Sequence, residues 1–272
     1  YSSGIFVPNG KVVRALSEST ATLSTPDHKC TSATGKWSGN FMNWLTMTRV
    51  DVIRKVLYGG YRLTDTPTKT VLQRALLPDD NHSFVKVVRD AAIDGQLSDY
   101  TPISGEDVVS FCNVTDPDNT SSGSMTSELN VANNPPRLKI APGDYFTWSG
   151  SERELCLYED EASHNDANPF IPERPSASSI SGVSEVEFKV RVETCVVNQD
   201  RDNCREYTGS GNNTYYKPYG LLQTYGENGG LKFGLMTGSY AKNDAGGVLR
   251  KNVSYMGGSE AAADDKEVNI ST

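Results

Sequence analysis

The sequence predicts a mixed α/β (α+β) protein whose β-rich part is stapled by disulfides, and three observations carry that prediction. From Asn40 to Tyr58, Phe41, Trp44, Leu45, Thr48, Val52 and Val56 recur at helical spacing and make one apolar face. From Glu185 to Glu193, Val186, Phe188, Val190 and Val192 alternate with Glu187, Lys189 and Arg191, the period of a half-buried strand. Just beyond it, Cys195 and Cys204 bracket a polar loop rich in Asp and Asn, a turn composition suited to closure by a disulfide.

The remaining elements follow in chain order. Ser38 or Asn40 caps the helix over Asn40–Tyr58, and Gly59-Gly60 stops it. A shorter helix is expected from Thr70 to Leu77, closed by Pro78, and then a strand over Phe84–Val88. Between about Asp99 and Pro136, Ser, Thr, Asn, Asp and Gly dominate, which reads mostly as loop. Short strands over Arg137–Ile140 and Glu154–Tyr158 flank Trp148, read first as a packing anchor and second as a ligand platform. Asn165 to Ser181 is a Pro/Ser-rich connector. A helical segment over Gly220–Tyr225 precedes a turn at Glu227–Gly230 and a buried strand over Leu231–Thr237. A Gly-rich turn at Ala245–Gly247 leads to a further strand at Val248–Lys251, and the acidic residues 257–272 are expected to be disordered.

Composition narrows the function. The chain has 272 residues, a formal charge of -8, and 13 Tyr, 8 Phe and 3 Trp, so it folds around aromatic side chains and offers no basic face to a nucleic acid. No segment approaches the roughly 20 apolar residues of a membrane span. The start, Tyr1-Ser2-Ser3-Gly4, lacks Met and any basic-then-apolar leader, and reads as the middle of a longer protein.

Five cysteines say more. Cys195 with Cys204 is the first disulfide expected; free buried thiols or half of a metal site are the competing readings. Zinc sites pair cysteines about two to four residues apart with a second pair elsewhere, and there is none. Cys112 and Cys156 are the next couple, which leaves the partner of Cys30 outside this sequence. Both features point to an oxidising compartment.

Catalytic constellations are missing. His28, His82 and His164 stand far apart in polar stretches, and no nucleophile elbow, zincin motif or phosphate-cradling Gly loop occurs. Asp116 with Asp118 and Asp200 with Asp202 alternate oxygen donors as calcium loops do, but neither continues as an EF-hand, and ordinary turns explain them as well.

The run Trp37-Ser38-Gly39-Asn40-Phe41-Met42-Asn43-Trp44-Leu45-Thr46-Met47-Thr48-Arg49-Val50-Asp51 resembles a signature segment of the PilY/PilC family of type IV pilus-tip proteins. Further segments match in order: Val52–Gly60, Thr64-Asp65-Thr66, Val71–Ala75, His82–Lys86, Lys217–Gln223, Phe233–Tyr240 and Gly246–Asn252. The loops between about 99 and 135 and between 160 and 182 carry little resemblance.

The resemblance implies part of a von Willebrand factor A-like domain with a large β-rich insertion. Residues 1–60 would hold an amino-terminal loop and an A-domain-like helix, 61–215 the insertion, 216–256 an A-domain-like helix and central strands, and 257–272 the tail. Family members carry a C-terminal β-propeller, absent here with its calcium loop. The Asp-x-Ser-x-Ser start of an adhesion site is absent as well, so no adhesion-site residue is assigned.

The family implies a non-enzymatic assembly factor and adhesin, exported through the periplasm to the cell surface at the pilus tip. Minor pilins and a host or abiotic surface would be its partners, with no nucleic acid and no membrane span. No cofactor is expected in this segment, with calcium reserved for the parent protein. The alternative is a secreted glycan-binding module stacking sugars on Trp148, Tyr215 and Tyr216; a secreted hydrolase is a third reading that lacks its carboxylate pair.

Overall fold

The computed structural model describes residues 1–9, 29–30, 36–77, 83–93, 95–115, 135–149, 156–161, 174–196, 203–227, 230–238 and 247–255. The chain is mixed α/β, mostly sheet, and carries two disulfides. It divides into two compact units, Tyr1–Thr48 with Gln73–Val192, and Arg49–Leu72 with Glu193–Thr272.

The first unit is built on an antiparallel four-stranded sheet in the order β3-β4-β5-β6, made of β3 (Ser83–Arg89), β4 (Val108–Val114), β5 (Arg137–Pro142) and β6 (Glu187–Lys189). Helix α1 (Gly39–Thr46) packs on one face, where Phe41, Met42 and Leu45 meet Val88, Val109, Phe111, Leu138, Ile140 and Phe188. Strand β4 is the centre of the unit, and it lies in the stretch expected to be loop. Both its faces are buried, so it shows no apolar–polar alternation, and Ser110 and Asn113 read as turn residues. They are satisfied internally instead. Asn113 donates to the Leu45 carbonyl at 2.9 Å and accepts from Arg74 at 2.8 Å, while Ser110 donates to the Gly143 carbonyl.

The predicted helix over Asn40–Tyr58 is two helices, α1 and α2 (Arg49–Tyr58). Ser38 caps α1 as expected, accepting from the Phe41 N–H. The break comes at Met47, whose backbone is extended, after Thr46 turns its hydroxyl back onto the Met42 carbonyl at 2.8 Å. A β-branched residue bonded to its own preceding turn competes with helix continuation, and the Asn113 amide takes up one of the carbonyls left at the helix end.

The second unit contains α2, β1 (Arg62–Thr66), β8 (Cys204–Thr208), β9 (Thr214–Pro218), α3 (Leu221–Gly226), β10 (Lys232–Gly238) and β11 (Gly247–Tyr255). Strands β2 (Lys69–Gln73) and β7 (Arg191–Thr194) carry the chain from one unit to the other and complete a three-stranded sheet in the order β1-β2-β7. The helix expected over Thr70–Leu77 is therefore strand β2 followed by irregular chain. A two-residue turn decides this: Thr66 pairs with Lys69, and the Thr66 hydroxyl accepts from the Lys69 N–H at 3.1 Å. That turn sets β-branched Thr70 and Val71 opposite β1, and the hairpin outweighs the helical spacing.

The strand expected over Glu185–Glu193 serves two sheets, as β6 and β7, with the change of partner at Val190. Within the span expected as a strand at Glu154–Tyr158, the described residues Cys156–Tyr158 are irregular, and Cys156 has a positive φ. Strand β10 agrees with the strand expected at Leu231–Thr237, but it is not buried. β10 and β11 form a two-stranded ribbon on which Met236 is 69% and Val253 66% exposed. No described helix is long and apolar enough to cross a membrane.

Candidate interaction surface

On the second face of the four-stranded sheet, Cys112 of β4 is bonded to Cys156, and Val114, Ala141, Trp148 and Tyr158 complete a small core. Trp148 is 1% exposed and donates its indole N–H to the Leu157 carbonyl at 2.8 Å, with the Tyr158 ring 5.2 Å away. An indole so enclosed has no face for a sugar. Tyr158 in turn donates to the Ile140 and Val186 carbonyls. Lys139, buried on this face, lies 5.0 Å from the Tyr158 ring and 3.8 Å from Glu187, so its charge is balanced rather than available.

Cys195 and Cys204 are also bonded, closing the loop that leads into the β8–β9 hairpin. Tyr215 and Tyr216 sit on β9, both half-buried. Tyr216 donates to Glu206 at 2.8 Å, and the Tyr215 ring packs where a side chain on Gly209 would stand. Asp116, Asp118, Asp200 and Asp202, together with His28, His82 and His164, lie outside the described residues. Among the described residues no group of His, Cys, Asp and Glu could hold a metal ion. Cys30 is a half-buried free thiol whose pKa burial pushes up.

In the second unit two chain segments 152 residues apart meet through charge. Asp65 of β1 accepts from Lys217 of β9 at 2.6 Å and from Arg62 at 2.7 Å, and Thr70 donates to it at 3.2 Å. Lys217 also donates to Thr70 and to the Thr66 carbonyl, and Arg62 reaches the Pro218 carbonyl. Burial alone would raise the Asp65 pKa, but the hydrogen bonds and charges of Lys217 and Arg62 outweigh it and hold the carboxyl below its ordinary value. A folded-state pKa lowered in this way stabilises the fold above the unfolded value of about 3.9, and the contribution is lost as pH falls through the folded value. Asp65→Asn should therefore cost about 1–3 kcal/mol at neutral pH and flatten the acid limb of the stability profile below about pH 4 in denaturant titrations.

A second lock joins α2 to α3. Gly59 and Gly60 end α2 with positive φ, their N–H groups returning to the Lys55 and Arg54 carbonyls. A Cβ on Gly59 would stand 2.6 Å from the Pro218 backbone, and one on Gly220 would stand 2.4 Å from the Leu57 backbone. Only hydrogen fits at either place. Gly220→Ala should lower stability by about 1–3 kcal/mol by forcing these backbones apart, measurable as a lower urea midpoint. Beside it Glu227 accepts from Tyr207 at 2.7 Å and from Arg205 at 2.8 Å; burial, then that carboxylate, push the Tyr207 pKa up.

The segments Thr64-Asp65-Thr66, Tyr58-Gly59-Gly60 and Lys217–Leu221 thus pack together into one scaffold. The second unit presents many apolar side chains outward, beside charged ones such as Arg49, Lys232 and Arg250. On α2, Val50, Val52, Ile53, Val56 and Leu57 are exposed, with Leu221 and Tyr225 on α3 and Leu235, Met236, Leu249 and Val253 on the ribbon. Val52 and Val56, part of the apolar face expected from helical spacing, are exposed. Exposed apolar side chains are thus spread over α2, α3 and the ribbon of this unit.

The comparisons with known proteins agree with the resemblance. A family model described as the small α/β domain of PilY1 homologues matches residues 4–136, and one described as the second domain of PilY1 homologues matches residues 233–272. Two curated proteins of Xylella fastidiosa (strain Temecula1 / ATCC 700964) are each named type IV pilus biogenesis factor PilY1 homolog. One is 37% identical over 93% of this chain, the other 26% identical over 85%. The chain spans 16% of the length of each. No solved structure matches it. With both domain models in sequence order and relatives aligned along almost its whole length, the chain belongs to the PilY1-homologue family.

Proposed function

We propose that this chain is a scaffold and contact segment of a non-enzymatic type IV pilus biogenesis factor that works at the pilus tip. The observation that carries the proposal is its 37% identity over 264 residues to a protein named a type IV pilus biogenesis factor. The two disulfides support export through the periplasm to the cell surface, where thiols stay oxidised. Minor pilins and a host or abiotic surface are the proposed partners.

In this reading α1 and α2 stand early in an A-like domain, β10 is one of its central strands, and the stretch between them is an insertion. The exposed apolar residues of α2, β10 and β11 support it, because a central strand and its flanking helix are apolar where other elements cover them. The insertion loops and the Cys195–Cys204 loop are the proposed contact surfaces, since recognition sits on loops held by a rigid scaffold. The segment acts without a cofactor, and any calcium belongs to other parts of the protein; titrating calcium into the folded chain should give no heat. Deleting residues 61–215 from the whole protein tests the role: surface pili should fall while pilin levels hold, and unchanged piliation and adhesion would refute it.

A further inference from the structure

Strand β3 closes one side of the four-stranded sheet, and among the described residues its other edge pairs with no strand. Its seven residues pair with β4 in unbroken register from Ser83↔Val114 to Arg89↔Val108, so no bulge twists the edge away. The sequence SFVKVVR contains no proline to block it. β4 behind it is buried from Val109 to Val114, which anchors the edge on the core. An edge of this length presents a row of backbone donors and acceptors, and the chemistry that satisfies them is another extended backbone.

Two side chains qualify the occupant. Trp44 on α1 is 53% exposed, and the Lys86 ammonium lies 4.5 Å from the centre of its ring and 5.8 Å from that of Phe84, while donating to the Trp44 carbonyl. Burial lowers the Lys86 pKa, and among the described residues no carboxylate contributes to that shift. At the far end Arg89 is paired with Asp144. The charges on the strand itself, Lys86 and Arg89, are both basic, so pairing β3 with β3 of a second copy sets like charges together. A carboxylate on an incoming strand would instead neutralise a half-desolvated ammonium beside an aromatic ring.

We propose that β3 is a docking edge that takes an extended, acidic strand of a partner protein by β-strand addition. Lys86 pairs with a carboxylate of that strand, and Trp44 packs on its apolar side chains. The assignment stands on the edge itself and holds whether or not the protein works at a pilus.

The test pans the full chain against a display library of random linear decapeptides and synthesises the strongest binder as the probe. The expected probe alternates apolar residues with at least one Asp or Glu, and it slows deuterium exchange at Ser83–Arg89. Lys86→Glu should weaken it about tenfold or more, and Trp44→Ala by a similar factor with the melting temperature little changed. Three results would overturn the proposal: no binder enriched, protection of a different segment, or equal affinity for Lys86→Glu. Full protection of every β3 amide before any peptide is added would overturn it too, because the edge would then be covered by this chain itself.

Discussion

Trp148→Ala should destabilise the protein by about 3–5 kcal/mol, the cost of emptying a core site of that size. The indole packs in the small core that holds Cys112, Cys156 and Tyr158, and its N–H satisfies the Leu157 carbonyl. Alanine removes the packing and leaves that carbonyl unpaired, so cavity and desolvation costs add. Urea denaturation of the full chain measures it. A change under about 1 kcal/mol would mean that the ring is not enclosed, and would reopen the sugar-stacking role for Trp148.

Removing the Cys112–Cys156 bridge should have an effect of similar size. It joins residues 44 apart in sequence, and the chain-entropy argument gives about 4 kcal/mol for a loop of that length. The second bridge, Cys195–Cys204, spans 9 and should contribute about 2.7 kcal/mol on the same argument. The Cys112→Ala/Cys156→Ala double variant avoids leaving a lone thiol. It should lose more stability than the matching Cys195→Ala/Cys204→Ala variant. The opposite order would show that the first loop is already held by other contacts in the unfolded chain. Cys112 is an interior residue of the central strand, so its loss also exposes the small core on that face.

These two sites show what the sequence makes legible. The cysteines and Trp148 announce themselves by chemistry, whereas β4, which holds Cys112, does not. Alternation is visible only where one face of a strand is wet, and β4 is buried on both. The α3 helix and β3 follow their local patterns because neighbours agree with them. The spacing from Phe41 to Val56 is as regular as any, yet the helix breaks at Met47 because of a hydroxyl and an amide, Thr46 and Asn113. A Thr66 turn likewise makes a strand of Thr70 and Val71, where the spacing favours a helix.

Long-range partnerships leave no local trace. Asp65 and Lys217 are ordinary surface residues to any window of sequence, and the contact that lowers the Asp65 pKa exists only once β1 and β9 are folded together. The outward stripe on α2 is invisible for another reason. Amphipathic spacing says that a helix will cover something, and here Val52, Ile53 and Val56 remain uncovered within the described residues.

The central claim is placement at the pilus. Immunogold electron microscopy of sheared pili, with an antibody against this chain, tests it most directly. Gold at filament ends is the predicted result. Secreted protein with bare filaments would contradict the account and return the chain to the extracellular binding modules.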